Sequence, residues 1–263
     1  MEIIITKNYE EMSKVSAGII AREIQKKHDI VLGLATGDTP IGTYKELVNI
    51  HKKEGLDFSK AKSFNLDEYV GLAPLNPNSY NYFMRENLFR NININPENVY
   101  VPQGNTDDPE EFCLWYETQI KKFGPIDLQV VGIGGDGHIA FNEPGSSFAS
   151  RTRVKALYKQ TIEDNARFFD KIEDVPRFAI TMGVGTIMEA RKILLIANGK
   201  KKADIVAQFI EGPVTSQITA TALQLHNYVT VVLDEEAASK LTRKEYYNWV
   251  RDNKQLVQKK VGR

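Results

Sequence analysis

The sequence predicts an α/β fold: a mostly parallel sheet flanked by helices on both faces. Two observations predict it. Short apolar, β-branched runs alternate along the whole chain with stretches of helical spacing. The runs are nearly continuous in apolar residues, as in Leu128, Val130, Val131 and Ile133, which marks strands buried on both sides. No linker, repeat or low-complexity stretch divides the chain, so residues 1–263 read as one domain.

Composition narrows the function classes. Lys+Arg and Asp+Glu are both 34, so charge gives no reason to expect nucleic acid or an anionic membrane as partner. No apolar run approaches a membrane span, and the start Met1-Glu2-Ile3-Ile4-Ile5-Thr6 lacks the pattern of a signal peptide. A single cysteine, Cys113, excludes an internal disulfide. The expectation is a cytoplasmic protein.

Each element has a local reason. Ile3–Ile5 reads as a strand, and Tyr9–Lys27 as a helix carried by Met12, Val15, Ile19, Ile20 and Ile24. Ile30–Ala35 is a buried strand. It runs into Thr36-Gly37-Asp38-Thr39-Pro40 and a helix bearing Tyr44, Leu47 and Val48. A small-residue turn at a helix start suits an anion, and it equally suits an ordinary turn with a threonine cap and an early proline. Ala61–Leu66 is a strand ending in Asp67-Glu68-Tyr69, where Asp67 by itself reads as a cap or turn residue. Asn78–Phe89 and Asp108–Phe123 read as helices with Tyr100-Val101 a short strand between them. Leu128–Ile133 is the central strand. Beyond it Ser150–Arg153 extends toward a strand, Ala179–Met182 is a strand, and Gly183–Arg191 a helix. Lys192–Ala197 is a strand that opens on Asn198-Gly199 and three lysines, which invite a phosphate or simply start a solvated helix. Tyr228–Leu233 is the last strand, and Arg243–Arg263 a polar, mostly helical tail.

The stretch after the central strand carries the chemistry. Glycines at 132, 134, 135 and 137 are followed by Asp136, His138 and Glu143 within a few positions. Gly132, Gly134 and Gly137 fit G-x-G-x-x-G, but Pro144-Gly145 break the chain where a dinucleotide site needs a helix, and Arg153 and Lys155 stand where it needs an acid. Two carboxylates beside a histidine instead suit acid/base work, since they raise the basicity of the ring.

Several strings carry a resemblance. They are Leu66-Asp67-Glu68-Tyr69, the run from Gly135 to Pro144, the T-G-x-T-P loop, Ser150-Arg151-Thr152-Arg153, Asn165-Ala166-Arg167-Phe168-Phe169 and Leu223-Gln224-Leu225-His226. Together, from Ile3 to about Ala238, they resemble the glucosamine-6-phosphate deaminase family. The resemblance implies a Rossmann-like three-layer sandwich. It implies conversion of glucosamine 6-phosphate and water to fructose 6-phosphate and ammonia, with no metal and no organic cofactor. The expected partner is a small amino-sugar phosphate, and the expected assembly a homo-oligomer, with hexamers known in the family.

The resemblance also implies roles. His138 opens the sugar ring, with Asp136 and Glu143 orienting it. Asp67 is the base at C2. Thr36, Gly37, Asp38 and Thr39 match the phosphate loop, with Arg167 and Lys202 as cationic contacts. Ser146, Arg153 and Lys155 match an allosteric site for N-acetylglucosamine 6-phosphate, and residues from about 153 to 182 match a mobile lid. Two positions depart: Asp38 stands where glycine or serine is expected, and Ala156 where threonine is. The expectation for Asp38 is that it turns to solvent. A 6-phosphogluconolactonase needs no base at C2, and a sugar-phosphate-sensing regulator needs no acid/base set, so Asp67 and the Asn142-Glu143-Pro144 run favour the deaminase over both.

Overall fold

The computed structural model describes residues 1–261, with side chains to Lys254. The last two residues of the expected tail helix lie outside the described residues. Ten strands and eight α-helices follow in order among the described residues: β1 (Glu2–Thr6), α1 (Tyr9–Lys26), β2 (Val31–Leu34), α2 (Asp38–Glu54), β3 (Lys62–Asn65), β4 (Asp67–Tyr69), α3 (Tyr80–Asn87), β5 (Val99–Tyr100), α4 (Pro109–Phe123), β6 (Leu128–Val131), β7 (Arg153–Ala156), α5 (Lys159–Asn165), β8 (Phe178–Thr181), α6 (Val184–Met188), β9 (Ile193–Ala197), α7 (Ala203–Glu211), β10 (Val229–Asp234) and α8 (Lys244–Val261).

Seven strands form one sheet in the order β1-β10-β9-β6-β2-β3-β5, parallel throughout. Alternate residues feed opposite faces. On β9, Leu194 and Ile196 join one core with Met12, Ile20, Ile24, Tyr44 and Leu47 of α1 and α2. Ile193, Leu195 and Ala197 join the other with Tyr116, Ile120, Ile187, Val206 and Phe209 of α4, α6 and α7. Every residue of β9 is buried, and burying one such leucine contributes roughly 1.5–3 kcal/mol. The three-layer reading therefore holds, because a sheet apolar on both faces needs helices on both.

The sequence pattern did not reveal a second sheet. Strands β4, β8 and β7 make a three-stranded antiparallel sheet in which Asp67 faces Thr181 and Arg153 faces it from the other side. Both β3 and β4 lie in one apparent run, and the break falls at Leu66, whose N–H still reaches Leu34 of the large sheet while its carbonyl accepts from Met182. The chain thus steps from one sheet to the other immediately before Asp67. The helix start offered at the three lysines is α7, while the 3₁₀ turns over Thr219–Leu225 were not read from the sequence.

Strand order decides where a ligand can sit. From β2 the chain winds outward through β3 to β5, then returns to β6 and winds the other way through β9 and β10. The reversal falls between β2 and β6. At such a switch point the loops leaving two adjacent strands diverge and open a crevice at their carboxyl ends.

Candidate active site

A cleft of about 740 Å³ opens at that switch point. It is lined by the segments that leave β2 (Ala35–Pro40), β3 (Leu66, Asp67), β6 (Gly132–Gly135) and β9 (Asn198–Lys202), with Thr161–Phe169 across its mouth. This is an ordinary volume for a small-molecule site.

One end of the cleft is built for an anion. Helices α1, α3 and α4 begin with side-chain caps from Asn8, Ser79 and Asp108. Helix α2 does not: its N-cap is Gly37, at φ 101°, with no side chain to bond the first turn. The N–H groups at the start of α2 are left for a ligand, and the helix dipole favours a negative one. Around this turn, Thr39 Oγ1 donates to Asn198 Oδ1 at 2.8 Å, tying the β2 loop to the β9 loop. Asp234 accepts from the N–H of Gly199 through both oxygens at 3.0 Å and so fixes the turn that leads to Lys202. Burial pulls the Lys202 ammonium below its usual range, against the opposing pull of Asp164 and Asp136.

Asp38 does not simply turn to solvent. Its side chain is 61 % exposed, yet Oδ2 accepts from Arg167 Nη2 at 2.8 Å. The carboxylate in the β2 loop and the guanidinium on the opposite wall meet across the mouth.

The other end holds the histidine. The loop after β6 turns sharply: Gly134 N–H donates to the His138 carbonyl at 2.8 Å. A Cβ on Gly134 would lie 2.4 Å from the imidazole, so glycine makes the room that the ring occupies. His138 Nδ1 lies 2.7 Å from Asp136 Oδ1 and 3.6 Å from Glu143 Oε2, between two carboxylates and squarely aligned on neither. Carboxylates only accept, so Nδ1 carries the proton and Nε2 is left to take one. Burial pushes the Asp136 carboxyl up, but the His138 hydrogen bond and charge outweigh it and hold it below the usual range. Glu143 is fixed from behind by the N–H of Tyr158 at 3.0 Å. Asn142 donates to the carbonyls of Ile139 and Met182. Ala140, at φ 51°, is the one non-glycine residue with positive φ among the described residues, local strain of the kind that collects at functional loops. The ligand-type atoms of Asp136, His138 and Glu143 lie within 4.8 Å of one another. Two ligands of one tetrahedral zinc stand roughly 3.3 Å apart, so the 2.7 Å approach is a hydrogen-bonding distance rather than a metal-ligand spacing.

Asp67 also lines the cleft and is 6 % exposed. Burial first, and the charge of Glu68 second, push its carboxyl up to about 8. Glu68 is more deeply buried and points away, accepting the N–H groups of Tyr69, Tyr80 and Asn81 at 2.9 Å. Burial lifts its carboxyl to about 7 against those three bonds. Glu68 thereby joins β4 to the start of α3.

The fold brings most of the expected residues together. Thr36, Gly37, Asp38, Thr39, Asp67, His138, Arg167 and Lys202 all line the cleft, with Asp136 and Glu143 behind His138. Ser146, Arg153 and Lys155 do not line it. Ser146 is buried and donates to the Glu143 carbonyl, and Arg153 donates to Asn142 Oδ1 and the Arg151 carbonyl. Sequence reasoning missed Asn198 and Asp234 as loop ties, Asp164 opposite Lys202, and an aromatic wall. In that wall Tyr69 packs on Tyr80, Phe141 and Phe169, joining β4 to the segment across the mouth. The aromatic content around position 80 was the signal available for it.

Comparison with known proteins gives the family. The family model described as glucosamine-6-phosphate isomerases/6-phosphogluconolactonase matches residues 7–232. A glucosamine-6-phosphate deaminase of Thermoanaerobacter sp. (strain X514) is 53% identical over 239 residues, 91% of this chain and 94% of that protein. Glucosamine-6-phosphate deaminase 2 of Bacillus subtilis (strain 168) is 52% identical over 244 residues, 92% and 98% of the two chains. The solved structure of a monomeric glucosamine-6-phosphate deaminase superposes with a TM-score of 0.90 at 46% identity, covering 91% of this chain and all of that one. A Trypanosoma brucei 6-phosphogluconolactonase, at 21% identity and a TM-score of 0.71, shares the fold. The chain belongs to the glucosamine-6-phosphate isomerase/6-phosphogluconolactonase family.

Proposed function

We propose that this protein converts glucosamine 6-phosphate and water to fructose 6-phosphate and ammonia. One observation carries the reading beyond family membership: a buried carboxylate, Asp67, and a carboxylate-backed histidine, His138, line one cleft whose far end has an uncapped helix start and two cations. The chemistry needs each part. His138 Nε2 takes the proton of the C1 hydroxyl and delivers it to the ring oxygen, which opens the ring to an aldehyde. The C2 proton is then acidic, and Asp67 removes it to leave an enol-amine. Return of the proton to C1 gives an imine at C2, which water hydrolyses to the ketone with loss of ammonia. Burial makes Asp67 a stronger base than an exposed aspartate, at the expense of its ionised fraction at neutral pH. The α2 start, Arg167 and Lys202 hold the phosphate, which sets the sugar against Asp67 and His138.

The lid belongs to this proposal. Its ends, β7 and β8, are strands of the small sheet, so the moving part is the stretch between them, about 157–177. Homo-oligomer formation and an effector site on Ser146, Arg153 and Lys155 also remain proposals. The structural relative at 46% identity is described as monomeric. Sedimentation, with substrate curves in the presence and absence of N-acetylglucosamine 6-phosphate, tests both. A single-chain species with an effector-blind hyperbola removes both. Among the described residues no helix is long and apolar enough to cross a membrane.

The reaction itself is tested by following ammonia and fructose 6-phosphate from glucosamine 6-phosphate, beside Asp67→Asn. Equal release of both products, lost in the variant, is the expected result. Release retained in the variant moves the base elsewhere, and no release from folded protein overturns the reading in favour of a lactone substrate.

A further inference from the structure

We infer that Asp38 sets the strength of phosphoryl binding: its carboxylate competes with that anion for Arg167 and for the start of α2. The inference rests on the phosphate site proposed above. Asp38 is the first residue of α2, whose N-cap supplies no side chain. Its charge therefore lies beside the free N–H groups that a phosphate needs. The same carboxylate binds Arg167 Nη2 at 2.8 Å, a contact between residues 129 positions apart. Its backbone is fixed as well: Tyr9 OH donates to the Asp38 carbonyl and accepts from the N–H of Gly42. The turn thus holds the carboxylate at the mouth. Asp164 and Lys202 also both line the cleft.

A phosphate entering this site must draw Arg167 away from Asp38, or share it, with one more negative charge close by. Both side chains are more than half exposed, so water screens the pair and the effect is modest. The pair is exposed and screened, so a three- to tenfold loss of affinity is the expected scale. The loss falls equally on any phosphate, so the carboxylate sets how tightly the site holds the anion and leaves the ratio between a sugar phosphate and inorganic phosphate unchanged.

The experiment measures KM for glucosamine 6-phosphate and the competitive inhibition constant of inorganic phosphate. It uses the unaltered protein, Asp38→Asn, Asp38→Glu, Arg167→Gln and the double variant Asp38→Asn/Arg167→Gln. In Asp38→Asn both constants fall three- to tenfold, the gain in kcat/KM residing in KM, and both rise more steeply with salt because the site has gained a net positive charge. In Asp38→Glu both constants stay within about twofold of the unaltered protein, because the charge is kept. In the Arg167→Gln background the Asp38→Asn gain shrinks to about twofold or less, as coupling through one partner requires. Unchanged or raised constants in Asp38→Asn overturn the inference, since they mean that Asp38 is idle or aims Arg167 productively. A gain of equal size in both backgrounds also overturns it, since the carboxylate then repels phosphate without contending for Arg167. A separate outcome concerns the reading beneath it: Arg167→Gln leaving both constants unchanged removes Arg167 from the phosphate site. Thermal unfolding of Asp38→Asn, with Asp38→Ser as a second neutral variant, checks that the fold is intact.

Discussion

Two aspartates stand in the same cleft and differ in almost everything but their side chain. Asp67 is 6 % exposed, with its carboxyl pushed up to about 8 by burial and by Glu68. The Asp38 side chain is 61 % exposed and ion-paired to Arg167. A buried carboxylate without a cation holds its proton tightly, which is what a base for a carbon acid needs. An exposed carboxylate beside a guanidinium is a weak, screened contact that affects binding by small factors. Depth in the cleft, more than residue type, separates chemistry from binding.

Changes at the deep end should therefore be the larger. Asp67→Asn is expected to lower kcat by about 10²–10⁴-fold, measured in the product assay. The same variant should be more stable. The folded carboxyl lies above its unfolded value of 3.8, so its favourable contribution is complete below that pH and fades as pH rises toward 8. At pH 7 most of it is gone. A neutral amide escapes this loss, and a gain of up to about 4 kcal/mol at pH 7 is expected in denaturant unfolding. Equal stability of the two proteins would mean that Asp67 is not desolvated in solution.

Gly134→Ala comes next. The added Cβ meets the imidazole at 2.4 Å, and the loop at 134 must shift or the ring must turn. A fall in kcat of about 10²-fold, with little change in the thermal midpoint, is the expected pattern for a misaimed histidine.

The pH dependence sharpens the comparison further. A base must be ionised, so kcat/KM should rise with pH through an apparent value near 8, set jointly by Asp67 and Glu68. In Glu68→Gln the rise should move to lower pH by roughly one unit, because a neighbouring negative charge has gone. A limb that stays in place would break the link between the two carboxyls. At the shallow end, Asn198→Ala frees the Thr39 hydroxyl from its tie to the β9 loop. A two- to fivefold rise in KM is expected, about the worth of one side-chain hydrogen bond.

The residues that carry chemistry were legible in the sequence because they cluster. Asp136, His138 and Glu143 lie within eight positions, and the glycines around them announce a tight loop. The parallel sheet was legible from runs such as Ile193–Ala197, since burial on both faces leaves no alternation to confuse the reading. The small sheet was not legible. Its strands β4, β7 and β8 are three or four residues each and come from distant parts of the chain, and β4 follows β3 after a single residue. The pairing of Asp38 with Arg167 was hidden for a related reason. Both residues were singled out, but their meeting depends on how residues 159–168 cross the mouth, and no local pattern encodes a contact between positions 129 residues apart. The ties made by Asn198 and Asp234 escaped notice because each acts on the backbone or side chain of another loop, and its own neighbours give no hint of the partner.

The missing side-chain cap on α2 has a bearing on the lifetime of the protein. A glycine N-cap costs about a few tenths of a kcal/mol against a serine or aspartate cap, a small loss of local stability at the face where ligand binds. Any phosphate ester that seats there stabilises the folded chain by mass action. Occupied copies are then expected to be cut by an added protease more slowly than unoccupied ones, which proteolysis with and without glucosamine 6-phosphate measures.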